Sequence, residues 1–569
     1  MNISRPTRSF VDQDLVIEDW SSIEPYFLEL LSREINSLEE FKMWLKDQSE
    51  LEAIIEENAA WRYIKMTIDT KDQKLSDAYS FFISEIQPNI APFDDKLNHK
   101  LNESSFTKDL ENDLAFAILF KKVKSAIELY REENISLFSD ISTESQKFGS
   151  LSAAQTIEYE GEEMTMQKAA LLLKENDEEL RKTIFDKISN RRRTDVDTFD
   201  DLFNTLLKKR HQVAINAGFK NFRDYKMVAM GRFDYSVEDC ENFHSSVKSE
   251  IVPLVKIIQK KRLEKFGKKA FMPWDTSVDP DGKKPLKPFT TGQDLLDGTI
   301  KMFNEIDPYF GDCISTMEKM NHLDLESKTG KSPGGYNYPL YEIGVPFIFM
   351  NAVGSHRDLV TMVHEGGHAI HSFLSRDLEL TGFKNLPSEI AELASMSMEL
   401  LSMEKWSQFY PNANDLKRAK TEQLETVITL LPWIAQVDEF QHWLYVNHNH
   451  SKQERTDKWV SLCNEYGTGL TDWTGNEDVL ATSWQRQLHI FEVPFYYIEY
   501  GISQLGALSV WKNSLEDKPK AIKNYKEALK LAYTKSIPEV YKTAGIEFNF
   551  STKYIKDLAE FVGQQLSEN

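Results

Sequence analysis

The chain has 569 residues, 41% hydrophobic and 28% charged, which is the usage of a soluble globular protein and excludes a disordered or collagen-like one. Its 90 acidic against 68 basic side chains give a formal charge of −22, which argues against a nucleic-acid partner because neutralising phosphates needs a basic face. Cys240, Cys313 and Cys463 are too far apart for a disulfide framework or a thiolate zinc knot, and no apolar run reaches the ~20 residues of a membrane helix. Met1 to Pro6 are not followed by the apolar core of a secretory signal, so a cytoplasmic location with no membrane partner is expected. The length allows several cores or one large helical enzyme.

From Glu18 to about Glu133, apolar residues recur at three- and four-residue spacing, as at Phe27, Leu30, Leu31 and Ile35. That period predicts an up-and-down set of long amphipathic helices. Ser37-Leu38-Glu39-Glu40 has the form of a capping box opening one of them, and Pro88-Asn89 and Ala91-Pro92 are turn signals expected to separate others. Between Gln155 and Met166 the period changes. Ile157-Glu158-Tyr159 and Glu162-Glu163-Met164 flank Glu160-Gly161 as two small strands about a tight turn, and Thr165 can cap the helix that follows.

Helices resume through Ile188 and on to Lys265, and Arg191-Arg192-Arg193, the best basic patch, reads as a solvated helix face. Pro273 to Pro288 has no helical period and reads as a long surface loop. A second interruption, Gly330 to Met350, predicts short strands at Tyr336-Asn337-Tyr338 and at Phe347-Ile348-Phe349-Met350. After Ser355 the pattern is helical almost to the end. A mostly α fold is therefore expected, with an N-terminal helical domain over 1–190 that includes the hairpin and a second domain over 191–569.

That second domain holds His364-Glu365-Gly366-Gly367-His368, a His-Glu-x-x-His run in a helical pattern with Ser355 as N-cap and Leu359, Met362, Phe373 and Leu374 as apolar face. On a helix His364 and His368 are one turn apart on the same side, so both imidazoles can reach one cation at about 2.0–2.1 Å. Glu365 points off that axis, where a general base for a metal-bound water has to stand. The plain alternative is two exposed histidines beside a surface glutamate. Against it, Gly366 and Gly367 in a helix interior cost roughly 1 kcal/mol each, and close approach of another backbone or of a substrate accounts for that cost. A catalytic zinc takes three protein ligands and leaves the fourth position to water. Pro387 to Glu399 offers Glu389, Glu392 and Glu399 on roughly one face; spacing does not choose between Glu389 and Glu392, and three acids on one face also suit a solvated surface.

Leu488 to Gly501 brings His489, Tyr496, Tyr497 and Tyr500 into a short stretch, and Tyr496 and Tyr500, four apart, would share a helical face. Hydroxyl and imidazole donors of this kind suit the oxyanion of peptide hydrolysis, whereas aromatic clusters more commonly fill cores.

His364-Glu365-Gly366-Gly367-His368-Ala369-Ile370-His371, followed by Ala391-Glu392-Leu393-Ala394-Ser395 and Glu399, resembles the core of the oligoendopeptidase F branch of the thimet oligopeptidase family. Gly334-Gly335-Tyr336 through Val345-Pro346-Phe347-Ile348-Phe349-Met350-Asn351 is similar to the family's stretch before that helix, and Tyr159-Glu160-Gly161-Glu162-Glu163 to its N-terminal hairpin. The likeness runs from about residue 150 to the end; the earlier part matches only in helical character. It implies a large helical zinc-peptidase fold, two helical halves around a deep cleft with a few short strands near the active site, and one zinc ion per chain. It further implies that Glu392 is the third zinc ligand beside His364 and His368, and that Glu399 steadies the ligands from behind. His371 matches a histidine the family also carries. His489 and Tyr500 correspond to its oxyanion donors, with Tyr496 and Tyr497 as further candidates.

The expected activity is that of a zinc-dependent oligoendopeptidase cutting internal bonds of short peptides. Zinc acidifies a water, Glu365 takes its proton during attack on the carbonyl and later delivers it to the leaving amine, and His489 and Tyr500 stabilise the oxyanion. The strand Phe347 to Met350 or the Gly334-Gly335 loop is expected to pair with an extended substrate. A metallocarboxypeptidase, which needs a buried cation for the substrate carboxylate, and a non-catalytic helical binding protein are the competing readings. A monomer is as compatible with the sequence as an oligomer.

Overall fold

A computed structural model describes Met1, residues 3–332 and residues 334–568. The described residues are mostly helical, with five short strands: β1 (Thr156–Tyr159), β2 (Glu162–Thr165), β3 (Leu323–Glu326), β4 (Tyr336–Tyr338) and β5 (Phe347–Ala352). They form two compact units that interleave along the chain. The first is assembled from Met1–Tyr130, Leu286–Lys420 and Ser503–Phe548, the second from Arg131–Pro285, Thr421–Ile502 and Asn549–Asn569. A cut at residue 190 falls within the second unit's first segment. No helix among the described residues is long and apolar enough to cross a membrane.

In the first unit the N-terminal helices bury the stripe their spacing predicts: Phe27, Leu30, Phe41, Trp44 and Ile54 share one core with Leu380 and Phe383 from a much later segment. Burying side chains of this size contributes about 1.5–3 kcal/mol each. The helix Leu38–Ile68 opens at Ser37, whose side chain accepts from Glu40 N. The returning bond goes one residue further back than a capping box requires, since Glu40 Oε2 accepts from Asn36 N at 2.7 Å. The two proline turns expected near residue 90 do not form. Pro88 and Pro92 both lie inside the helix Gln87–Glu103. Pro88 stands in its first turn, where the missing N–H has no helical partner to lose, and the wide π turn Phe82–Ile86 just before it makes room for the ring.

The sheet of the first unit has the order β3-β5-β4, with β4 antiparallel and β3 parallel to β5. Sequence patterning finds β4 and β5 but misses β3, whose four residues are too few to show a period. Its presence corrects one expectation. With a neighbour on either side, β5 has no open edge, so Phe347–Met350 cannot receive a substrate strand; the outer edge of β4 remains.

In the second unit the predicted hairpin is present, pairing Ile157 with Met164 and Tyr159 with Glu162. Glu160 and Gly161 adopt φ of 54° and 82°, the left-handed pair of a tight hairpin turn. Its inner face, Ile157 and Met164, packs on Ala169, Ile184 and Ile188. The proline-rich segment is irregular apart from the single turn Pro273–Asp275, and it is anchored: the wholly buried Asp275 pairs with Arg181 at 2.7 Å and Lys268 at 2.8 Å.

Candidate metal centre

The motif helix, His356–Ser375, starts with a complete capping box in which Ser355 and Asp358 bond each other's backbone N–H. Its buried face carries Leu359, Met362, Val363, Ala369, Ile370 and Phe373, which packs it against Ser388–Ser402 in the same unit. The glycine pair makes this packing possible. A Cβ on Gly367 would stand 2.6 Å from Ser395 Cα and 2.8 Å from Ala394 O, and one on Gly366 would stand 2.7 Å from the Phe303 ring. The close approach expected of these glycines is therefore that of a neighbouring helix backbone at Gly367 and of an aromatic ring at Gly366. Tyr525 donates to the same Ala394 carbonyl at 2.7 Å, fixing that turn.

At this crossing the two helices bring their polar side chains together. Glu392 Oε2 stands 3.3 Å from His364 Nε2 and 3.7 Å from His368 Nε2. One ligand atom from each of the three residues lies within 4.8 Å of the other two. A tetrahedral ion with bonds of 2.0–2.2 Å separates its ligand atoms by roughly 3.3–3.6 Å, so the spacing fits such an ion. The choice that spacing left open falls on Glu392; Glu389 is buried on the same helix, and its carbonyl accepts from Ser503 and Tyr541. Both imidazoles remain 20% exposed, which leaves one side of the cluster reachable by water and substrate.

Behind this cluster, His364 Nδ1 bonds Glu399 Oε1 at 2.6 Å, which orients the ring and leaves Nε2 facing Glu392. Ser395 Oγ donates to Glu392 Oε2 at 3.1 Å. Burial works against a charged His364, but the Glu392 and Glu399 carboxylates outweigh it and hold that group well above its ordinary value. Burial pushes His368 down to about 4 and His371 down to about 3. Glu392 resists burial through its bond to His364 and the imidazole charges, and is pushed down to about 2. The cluster thus asks for positive charge beside two carboxylates: a proton on His364 can supply it, and a divalent cation would supply it in that proton's place, next to a His368 that stays unprotonated.

Glu365 is buried, and burial, aided by the Glu392 and Glu399 charges, raises its carboxyl to about 7. Its backbone carbonyl accepts from Asn337 Nδ2 at 3.1 Å, which ties β4 to the motif helix. Sequence reasoning passed over Asn337, because nothing local distinguishes one asparagine between two tyrosines.

The aromatic candidates form their own group, in the second unit. The His489 ring lies 6.2 Å from that of Tyr496, 4.6 Å from Tyr497 and 5.9 Å from Tyr500. Tyr496 sits one residue outside the helix Tyr497–Glu516, after Phe495 at φ 69°, yet its ring still meets Tyr500 at 5.3 Å. The network fixes the proton on His489. Trp433 Nε1 can only donate, and it bonds Gln487 Oε1 at 3.0 Å; the Gln487 amide nitrogen therefore faces His489 Nδ1, at 2.7 Å. With Nδ1 accepting, the neutral ring carries its hydrogen on Nε2, the form that can donate to an oxyanion.

The chain is similar to known proteins over most of its length. The family model for peptidase family M3 matches residues 171–560, and that for the peptidase M3 N-terminal domain matches residues 10–130. An oligoendopeptidase F homolog of Borreliella burgdorferi is 23% identical over 490 residues, covering 83% of this chain and 79% of that protein. The oligopeptidase PepF of Bacillus subtilis is 21% identical over 403 residues, covering 70% of this chain and 58% of that protein. A solved structure of PZ peptidase A with an inhibitor superposes with a TM-score of 0.90 at 26% identity, covering 100% of this chain and 99% of that one. With the M3 model spanning well over half its length, the chain belongs to peptidase family M3, in the oligoendopeptidase F branch.

Proposed function

We propose that this protein is a zinc-dependent endopeptidase that hydrolyses internal bonds of short peptides, with His364, His368 and Glu392 holding one catalytic zinc and Glu365 as the general base. The observation that carries the reading is the convergence of those three ligand atoms beside a buried carboxylate raised to about 7. Bound there, zinc supplies Lewis acidity towards water and the peptide carbonyl. Glu365 accepts the proton of the attacking water and returns it to the leaving amine. Glu399, through His364 Nδ1, keeps that imidazole turned to the ion. The names of the relatives, oligoendopeptidase and oligopeptidase, support short peptides as substrates. The open edge of β4, tied to Glu365 by Asn337, suits main-chain pairing with an extended peptide, which reads backbone and tolerates varied side chains. A cytoplasmic setting, as for peptide recycling, accords with three widely spaced cysteines.

The decisive experiment is cleavage of an internally quenched peptide blocked at both ends, with and without a chelator. Cleavage lost to the chelator and restored by zinc is expected. A carboxypeptidase would leave the blocked peptide whole, and chelator-insensitive cleavage would remove the metal from the reaction.

Two side chains give separate checks. Glu399→Gln, which loses the charge behind His364, is expected to weaken zinc binding by about 10–100-fold, as read by competition with a chromophoric chelator; unchanged affinity would mean that the contact is incidental. His489 and Tyr500 are assigned as oxyanion donors. Tyr500→Phe is accordingly expected to lower kcat by about 10²–10³-fold with KM little changed, and a native kcat in this variant would return Tyr500 to the core.

A further inference from the structure

The second unit carries another set of ligand-type side chains. Cys240 and His244 lie four apart on the helix Val237–Ser246, and Asp438 and His442 four apart on the helix Ala413–Val446, so each helix presents a pair on one face. Cys240, Asp438 and His442 are buried, and one ligand atom from each lies within 4.8 Å of the other two. His442 Nε2 stands 3.2 Å from Asp438 Oδ2, and His244 Nε2 bonds the same oxygen at 2.8 Å. We propose that Cys240, Asp438 and His442 form a second metal site, for a divalent transition ion of the zinc type, with His244 steadying the Asp438 carboxylate.

Three observations support this. Asp438 has no exposed surface, and its ionic partners among the described residues are two imidazoles. Its second oxygen, Oδ1, and both ring nitrogens of His442, including the Nε2 that faces Asp438, are buried without hydrogen-bond partners. A buried carboxylate left in that state is costly, and a bound cation relieves it. The separation of 3.2 Å between His442 Nε2 and Asp438 Oδ2 is also close to the roughly 3.3–3.6 Å between ligand atoms of a tetrahedral ion. Finally, one sulfur, one imidazole and one carboxylate select a borderline ion such as Zn²⁺ over Mg²⁺ or Ca²⁺, which take oxygen ligands. On binding, the Cys240 thiol gives up its proton to solvent and the thiolate takes the ion.

The site would act as a positioning device. The His442 ring packs edge-on against Phe495 at 5.4 Å. Phe495 is the residue held at φ 69° immediately before Tyr496; its N–H bonds Gln441 Oε1 at 2.9 Å and its carbonyl accepts from Arg232. An ion tying Asp438 and His442 to Cys240 would lock the helix turn that supports this strained corner.

The ligand sets differ in one readable respect, because only the second contains sulfur. The protein is therefore to be produced in minimal medium with Co²⁺ as the added transition metal, so that buried sites fill during folding, and its cobalt content and absorption measured. Native protein is expected to hold two cobalt ions and show a thiolate-to-cobalt charge-transfer band in the near ultraviolet. Cys240→Ser should hold one ion and lack the band, and Glu392→Gln should lose the catalytic ion and keep the band. A native protein with one cobalt and no such band overturns the proposal, as does a band that survives Cys240→Ser. Because the native protein alone can refute the site, a misfolded variant does not rescue it, and loss of the catalytic ion alone would count against the His364 cluster only.

Discussion

Glu365→Gln is expected to bind peptide nearly as the native enzyme does and to turn it over about 10³-fold or more slowly, in the upper part of the range for a general acid-base residue. The amide matches the carboxylate in shape, and the Asn337 contact is to the backbone carbonyl of residue 365, so neither the helix nor β4 has reason to move. What disappears is the proton acceptor. In the proposed mechanism the native carboxyl also sets the pH dependence. A base works only when unprotonated, so kcat/KM must fall as pH drops through its pKa. Burial and the Glu392 and Glu399 charges raise that value to about 7, and a cation beside it pulls it down, which puts the acid limb below about 7. The amide has no proton to gain, so whatever residual activity the variant has should lose this limb. Turnover within tenfold of native, with the acid limb intact, would assign the base to another group.

How much of this was readable depends on how local each feature is. The His364, Glu365 and His368 arrangement repeats with the helix itself, so sequence spacing alone gives it. Glu392 is one step less local. Three acids share its helix, and only the family resemblance or the helix crossing at Gly367 selects the one that faces the imidazoles. The Gln487 amide that sets the His489 proton is fixed in turn by Trp433, from a distant segment, and no local pattern announces it. The same holds for Cys240 and Asp438, each an ordinary residue of its own helix until the two helices meet. The prolines at 88 and 92 misled because proline punctuates most chains, whereas here a π turn absorbs the first ring within continuous helix.

Gly367→Ala is expected to cost both metal and stability, although alanine is the better helix former by about 1 kcal/mol. That gain is set against a Cβ placed 2.6 Å from Ser395 Cα and 2.8 Å from Ala394 O, both backbone atoms held within a buried helix. Overpacking of this kind costs about 1–3 kcal/mol and can exceed it when no side chain can swing aside, so the clash wins. Relief requires the two helices to part, and His368 and Glu392 stand on opposite sides of the gap. Their separation of 3.7 Å would widen, and a shared ion would lose one of its ligands. The neighbouring substitution supplies the control: Gly366→Ala meets the buried Phe303 ring at 2.7 Å, a side chain and not the backbone of the helix that carries Glu392, so it too should lower Tm but should spare the metal. Metal content after gel filtration and Tm, measured on both variants, separate the two outcomes. If Gly367→Ala kept a full equivalent of catalytic metal at a native Tm, helix contact would not be what places Glu392 against the histidines.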